Sequence, residues 1–376
     1  MMHYVDVIKG IRGVDEDAFD RARSRLHALA KPPGSLGSLE DMAMKLAAIT
    51  GSDTPKIDKR CVMVLASDNG VVSEGVASAP QAVTTIQTKN IARGITGVGV
   101  IAKQFGVDMI VADVGVDADL SHAPDVHNRK IRRSTGNIAI EDAFSRHEAE
   151  QAIEVGIDLV RQAKENGYQL IGVGEMGIGN TTTSSAVLAG LLGLRGDAIQ
   201  AIVGKGAGLD DAGHLRKIDV VQQALRRCEV KEDDPIAVLH KVGGLDLAAM
   251  TGVYLGAAFY RVPVVMDGFI SIVAALCATR LNPLVRGYLF GSHHSYERGF
   301  GVALDALQDG ATAFDVAGLL PSLHLNMRLG EGSGCPLLFA MLDASVAILK
   351  NMATFEEAQV GVEYFDEIKR IGKEAF

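Results

Sequence analysis

Five short apolar runs that each end on polar residues organise this chain. Val62-Met63-Val64-Leu65-Ala66 runs into Ser67-Asp68, and Met109-Ile110-Val111-Ala112 into Asp113. Leu170 to Val173 leads to Glu175, Val262 to Met266 ends at Asp267, and Gly287 to Phe290 ends at Ser292-His293-His294. Helical periodicity fills the intervals. It is clearest over 147–165, where Ala149, Ile153, Ile157 and Val160 form one face. Buried strands alternating with helices predict an α/β fold with a parallel sheet. Ligands of such sheets bind beyond the carboxyl ends of the strands, so the polar strand ends mark a single site.

The two ends of the chain read differently. Residues 15–30 and 38–50 predict helices, the second with Leu39, Met42, Met44, Leu46 and Ile49 at helical spacing. Between them KPPGSLGSLE (31–40) cannot be helix at Pro-Pro-Gly, and Ser38 is placed to cap the helix that follows. Leu337–Asn351 predicts an apolar helix and Thr354–Ile371 an amphipathic, charged one. The helical ends therefore predict a small domain, 1–58 with 336–376, beside a large α/β domain over 59–335.

Composition narrows the function. The 376 residues are 48% apolar and 22% charged, ordinary for a globular protein. Low aromatic content, absent Trp and 42 glycines suit many tight strand-to-helix turns. A net charge of −9 argues against nucleic-acid or anionic-membrane partners. The local basic cluster Arg129-Lys130 and Arg132-Arg133 is either a solvated loop or a phosphate contact. Cysteines at 61, 228, 277 and 335 lack CxxC spacing, and the histidines lack HxxxH, so neither a disulfide framework nor a metal site is expected. MMHYVDVIKGIRGVDED has acidic residues and no apolar core of a secretory signal. Asp246 and Asp267 interrupt the longest apolar stretches, so no membrane span is expected and a cytoplasmic location is.

The richest chemistry lies at 172–185, GVGEMGIGNTTTSS. An apolar run enters a turn of Gly174, Gly177 and Gly179 that contains Glu175. Asn180, Thr181, Thr182 and Thr183 follow, and a helical pattern begins at Ala186. A strand, a glycine turn and a helix start aim backbone N–H groups and a helix dipole at an anion. No Lys-Ser/Thr pair follows the last glycine, so this is not a P-loop; Gly172, Gly174 and Gly177 fall at GxGxxG spacing, a weak signal alone, and the reading is a phosphate outside NTP or NAD. In MRLGEGSGCP (327–336), Glu331 stands among Gly330, Gly332 and Gly334. It is either a general base or a favourable charge in a capping turn before the next helix. Gln87 and Asn90 share a helical face that either binds a heterocycle or is solvated. Asp68, Asp113 and Asp267 either bind ribose hydroxyls or cap helices. GKGAGLDD (204–211) places Lys205 in a glycine turn, suited to a phosphate or carboxylate. No GxSxG elbow accompanies Ser292-His293, which argues against a serine hydrolase.

With these stretches assembled, the chain resembles the nicotinate-nucleotide–dimethylbenzimidazole phosphoribosyltransferase (CobT) family. The matching stretches are KPPGSLGSLE (31–40), DNGVVSEGV (68–76), GEMGIGNTTTSSA (174–186), GKGAGLDD (204–211), DGFISIVAAL (267–276), GSHHSYERG (291–299) and RLGEGSG (328–334). The resemblance implies a Rossmann-like parallel sheet flanked by helices, a small domain from both chain ends, and a homodimer. It implies transfer of the phosphoribosyl group of nicotinate mononucleotide to 5,6-dimethylbenzimidazole or a related benzimidazole-type base, with inversion and without a cofactor or metal. Glu331 matches the general base. Gln87 and Leu329 match residues beside the base, and Gly174, Glu175, Gly177, Gly179, Asn180, Thr181 and Thr182 match the phosphate and ribose loop, with Lys205 a further phosphate candidate. Some relatives carry serine just before the proline of the 78–81 segment; here Ala79 precedes Pro80 and Ser78 lies one place earlier, which leaves the accepted base open.

Overall fold

The structure, a computed structural model, describes residues 2–228 and 233–361. Among them, six strands form one parallel sheet: β1 (Arg60–Ser67), β2 (Asp108–Gly115), β3 (Val126–Asn128), β4 (Leu170–Met176), β5 (Val264–Met266) and β6 (Leu289–Gly291). Their spatial order is β3-β2-β1-β4-β5-β6. The chain winds outward from β1 in one direction and then from β4 in the other. The topological switch point, where such sheets bind ligands, therefore lies between β1 and β4. All five predicted strands are present. The sequence gives no sign of β3, which contributes only Val126, His127 and Asn128, too few residues to show a period.

The strands are covered on both faces, which is why their sequences are continuous rather than alternating. Every residue of β4 is buried, and in β1 only Arg60 is partly exposed. The helix Arg146–Glu165 starts on a capping box formed by Ser145 and Glu148. Its predicted face, Ala149, Ile153, Ile157 and Val160, is fully buried. The apolar stretches around 242–278 become the helices Leu245–Phe259 and Phe269–Leu281, which pack together in the core, with β5 between them in the chain. Among the described residues no helix is long and apolar enough to cross a membrane.

At the ends, helices Glu16–Ala28, Ser38–Thr50 and Cys335–Asn351 pack around Ala22, Leu26, Leu29, Ala43, Ala47 and Leu349. The other face of Ser38–Thr50, with Met42, Leu46 and Ile49, joins the main core. The helix Tyr4–Gly10 lies on Leu245–Phe259 and Arg146–Glu165. Two local expectations change. Gly37, in a conformation with φ of 52°, is the residue that precedes the helix, and Ser38 is already helical and makes no capping bond. Thr354–Ile371 is not a helix over its described part: residues 355–359 form turns, and Thr354 pairs with Leu29. The remainder, 362–371, lies outside the described residues.

Candidate active site

The glycine turn at 174–179 starts later than its sequence pattern indicates. Gly174 and Glu175 belong to β4, paired with Val64 and Leu65 of β1, and Met176 pairs with Ala66. The turn proper is Gly177-Ile178-Gly179, and the helix begins at Asn180, six positions before the expected Ala186. Gly179 precedes this helix with φ of 89°, a left-handed conformation that favours glycine. The first helical turn, Asn180-Thr181-Thr182, thus sits at the switch point with its positive dipole end facing the strand ends.

Glu331 approaches the same strand end from the other side of the cleft. Gly330, Glu331 and Gly332 all have left-handed backbones, with φ of 81°, 63° and 84°. A Cβ on Gly174 would lie 2.2 Å from the Gly332 nitrogen, so only glycine in β4 lets the turn come this close. The carboxylate of Glu331 accepts the Val98 N–H at 3.4 Å, at the start of helix Gly97–Gln104. The chain reaches this turn alongside the 292–296 segment, where the His294 N–H donates to Leu323 O and the Tyr296 N–H to Met327 O.

One cavity of about 310 Å³ joins these parts. Its lining includes Ser78, Gln87, Gly174, Glu175, Gly177, Gly179, Asn180, Thr181, Lys205, Leu329 and Glu331, which are eleven of the twelve residues singled out in the sequence. Thr182 is the exception. It is fully buried outside the lining, and its backbone N–H is already donated to Gly179 O at 2.9 Å. Lys205 lines the cavity, but its ammonium is bound by Asp211 at 2.6 Å. Asn90 is not part of the lining; its amide donates to Gln87 Oε1 at 2.9 Å. Of the three strand-end aspartates only Asp267 reaches the cavity. Asp68 accepts the Asp117 N–H, and Asp113 accepts the Val116 N–H and pairs with Lys130. The basic cluster is paired structurally: Arg129 with Asp158, Lys130 with Asp113, and Arg132 with Glu148.

Four carboxylates, Glu175, Asp246, Asp267 and Glu331, are buried around the cavity. Burial pushes Glu175 up to about 8, and the neighbouring Asp246 adds to the rise. Burial also raises Asp246, to about 6, against hydrogen bonds from Asn180 and Leu247. Glu331 is likewise raised by burial, with the Val98 N–H opposing. The Asn180 amide bridges two of the acids, donating to Glu175 Oε2 and, at 3.1 Å, to Asp246 Oδ2. Sequence reasoning misses Asp246 as a site neighbour and also misses Lys217. The ammonium of Lys217 is buried and donates to Thr181 Oγ1 at 2.8 Å and to Gly204 O at 3.0 Å. Burial lowers it to about 8. Both signals exist in the sequence: Asp246 interrupts an apolar run, and Lys217 falls on the apolar face of helix Asp211–Cys228, beside Gly213, Val220, Val221 and Ala224.

A doubly wound sheet with a helix start at its switch point, facing a buried carboxylate across one cavity, has the architecture of a nucleotide-binding α/β enzyme. The phosphoribosyltransferase family model matches residues 11–360. A nicotinate-nucleotide–dimethylbenzimidazole phosphoribosyltransferase of Clostridium perfringens is 51% identical over 97% of both chains. The enzyme of that name from Ruminiclostridium cellulolyticum is 45% identical over 96% of this chain and 98% of its own. The crystal structure of the Thermus thermophilus enzyme of the same name superposes with a TM-score of 0.84 at 39% identity, covering 92% of this chain and 99% of that one. The chain belongs to the nicotinate-nucleotide–dimethylbenzimidazole phosphoribosyltransferase family.

Proposed function

We propose that this protein transfers the phosphoribosyl group of nicotinate mononucleotide to 5,6-dimethylbenzimidazole or a related base, giving α-ribazole 5′-phosphate and nicotinate. The observation that carries this reading is the single cavity shared by the helix start at 180 and the turn at 331. The phosphate sits at the helix start, against Gly177, Gly179, Asn180 and Thr181, with the Lys217 ammonium behind Thr181. Gly174 leaves room for the Glu331 turn, Glu175 addresses the ribose, and Ser78, Gln87 and Leu329 hold the flat base. Lys205 lines the rim, where a phosphate would compete with Asp211 for its ammonium.

The chemistry follows from the charges. One ring nitrogen of the neutral base attacks C1′ as the C1′–nicotinate bond breaks, from the opposite face, so the anomeric carbon inverts. Electrons of the broken bond neutralise the pyridinium, so nicotinate leaves without acid assistance. The new azolium gives its N–H proton to Glu331, a general base brought nearer neutral pH by burial. Positive charge developing on C1′ and on the incoming ring is stabilised by the Glu331 carboxylate, which a cationic transition state suits and an anionic one does not.

The proposal extends to domain organisation, assembly and location. The packing of Glu16–Ala28, Ser38–Thr50 and Cys335–Asn351 supports a small helical unit made from 1–58 and 336–376. Exposed Ile86 on helix Ala82–Ala92, which also carries Gln87, together with exposed Ile95 and Val100, supports a homodimer, which light scattering tests. A cytoplasmic site of action belongs to the same proposal, and cell fractionation tests it. The decisive assay is incubation with nicotinate mononucleotide and a panel of benzimidazoles, purines and phenols, with mass detection of products. Release of nicotinate with a new nucleotide supports the assignment. Tight nucleotide binding without release would make the protein a non-catalytic relative.

A further inference from the structure

Asp267 is a buried acid of the cavity that the reaction as written does not use. Its backbone is fixed to the sheet: the Asp267 N–H donates to Ser271 Oγ at 3.1 Å, and the Ser292 hydroxyl donates to Asp267 O at 3.1 Å. Ser271 in turn donates to Val173 O of β4 at 3.1 Å. Both carboxylate oxygens are engaged by the neighbouring turn. Oδ2 accepts the Gly332 N–H at 3.1 Å, and Oδ1 accepts the Gly334 N–H at 2.7 Å.

Those two N–H groups belong to the turn that carries Glu331. Glu331 is the one residue with a side chain in the left-handed run 330–332, a conformation disfavoured wherever a Cβ is present. Such a turn needs outside support to persist. A carboxylate accepting two N–H groups supplies it, because charge-assisted bonds are about twice as strong as neutral ones. Glycine at 334 is part of the device: a Cβ there would lie 2.3 Å from His293 Nδ1 and 3.0 Å from Asp267 Oδ1, forcing the turn off its anchor.

We propose that Asp267 is the positioning residue for Glu331, clamping the Gly332 and Gly334 N–H groups so that the left-handed turn aims the base at the incoming ring. This rests on the reading of Glu331 as the general base. Burial raises Glu331 and the negative charge of Asp267 adds to the rise, so the clamp tunes the base as well as aiming it. The other titratable neighbours are Glu175, whose Oε1 lies against Gly330, the buried Cys335 thiol and Tyr254 phenol, both pushed well up by burial, and His293, whose Nδ1 lies 3.8 Å from Asp267 Oδ1.

Asp267→Asn keeps the volume but offers one acceptor where two are needed, and its NH₂ faces a backbone N–H. Misplacement of a catalytic group by about 1 Å costs up to about 100-fold, so kcat should fall about 10- to 100-fold. KM for nicotinate mononucleotide should stay within about threefold, and the acid limb of the kcat profile should move to lower pH. In the Glu331→Gln background, Asp267→Asn should have no further effect. Wild-type kcat, a loss confined to KM, or independent losses in the double variant would overturn the proposal. Glu331→Gln turning over at the wild-type rate would instead remove the base assignment itself. If Asp267→Asn does not fold, Ser292→Ala decides: it loosens the Asp267 backbone, and several-fold lower kcat at constant KM is expected, whereas unchanged kcat overturns the clamp.

Discussion

Replacing Lys217 by methionine should leave the folded protein as stable or more stable at pH 7, while weakening nicotinate mononucleotide binding. Lys217 is fully buried, and burial takes its ammonium from 10.5 down to about 8. That drop corresponds to an ionisation penalty of about 3 kcal/mol at neutral pH. Methionine removes the penalty at similar volume. It also leaves Gly204 O without its 3.0 Å donor, at a cost of about 1–3 kcal/mol. The net change is therefore about 0–2 kcal/mol in favour of the variant. A lysine that destabilises its own fold is retained for what its charge does, and here the ammonium sits 2.8 Å from Thr181 Oγ1, in the first turn of the proposed phosphate site. Loss of a charge-assisted contact of about 1.5–3 kcal/mol should weaken nucleotide binding on the order of 10- to 100-fold.

The pH dependence gives an independent check. In the free protein the ammonium deprotonates near 8, and a bound phosphate restores it. Nucleotide binding should therefore take up a proton above pH 8, and affinity should fall as pH rises past that value. Titration calorimetry in two buffers of different ionisation enthalpy measures the proton, and thermal unfolding measures the stability. Affinity independent of pH between about 7.5 and 9.5, or a Lys217→Met variant that is several kcal/mol less stable yet binds nucleotide normally, would refute the reasoning.

Three further outcomes concern Glu331, Glu175 and the buried Lys45. Glu331→Gln should lower kcat by about 100- to 10,000-fold with nucleotide binding retained, as expected for loss of a general base; equilibrium binding and single-turnover kinetics separate the two. Glu175 titrates near 8, so at pH 7 it is largely the neutral acid, and Glu175→Gln should cost only a few-fold there. Above pH 8 the wild-type kcat at saturating nucleotide should decline as Glu175 ionises, and the Gln variant should lack that limb; parallel kcat profiles would refute it. Lys45 is buried, donates to Arg286 O and Asp315 O, and titrates near 7 against 10.5 unfolded. Between these values the unfolded chain binds the extra proton, so this group makes stability rise with pH by up to about 1.4 kcal/mol per pH unit. Lys45→Met should remove that slope, and denaturant unfolding from pH 7 to 10 would detect it.

What the sequence makes legible depends on how each residue departs from the pattern around it. Glycine turns after apolar runs are strong local signals, so β1, β2, β4, β5 and β6 and most of the cavity are readable from the chain alone. Glu175 reads as a turn residue because its neighbours Gly174 and Gly177 look like a turn; pairing with Leu65 of β1 keeps it in the strand. Tertiary pairing overrides a local glycine signal there, as it commonly does. Lys217 and Asp267 illustrate the other limit. A lysine inside an amphipathic helix looks solvated until its position relative to Val220, Val221 and Ala224 is considered, and an aspartate at a strand end looks like any cap. Their partners, Thr181 and the 332–334 amides, are 36 and 65 or more residues away in the chain. Local spacing carries no information about such contacts. It does carry the fact that an ionisable residue interrupts a buried face, and burying a charge is costly enough that the interruption implies a partner. At this site both interruptions lead to the two halves of the proposed reaction: Lys217 to the phosphate, and Asp267 to the base.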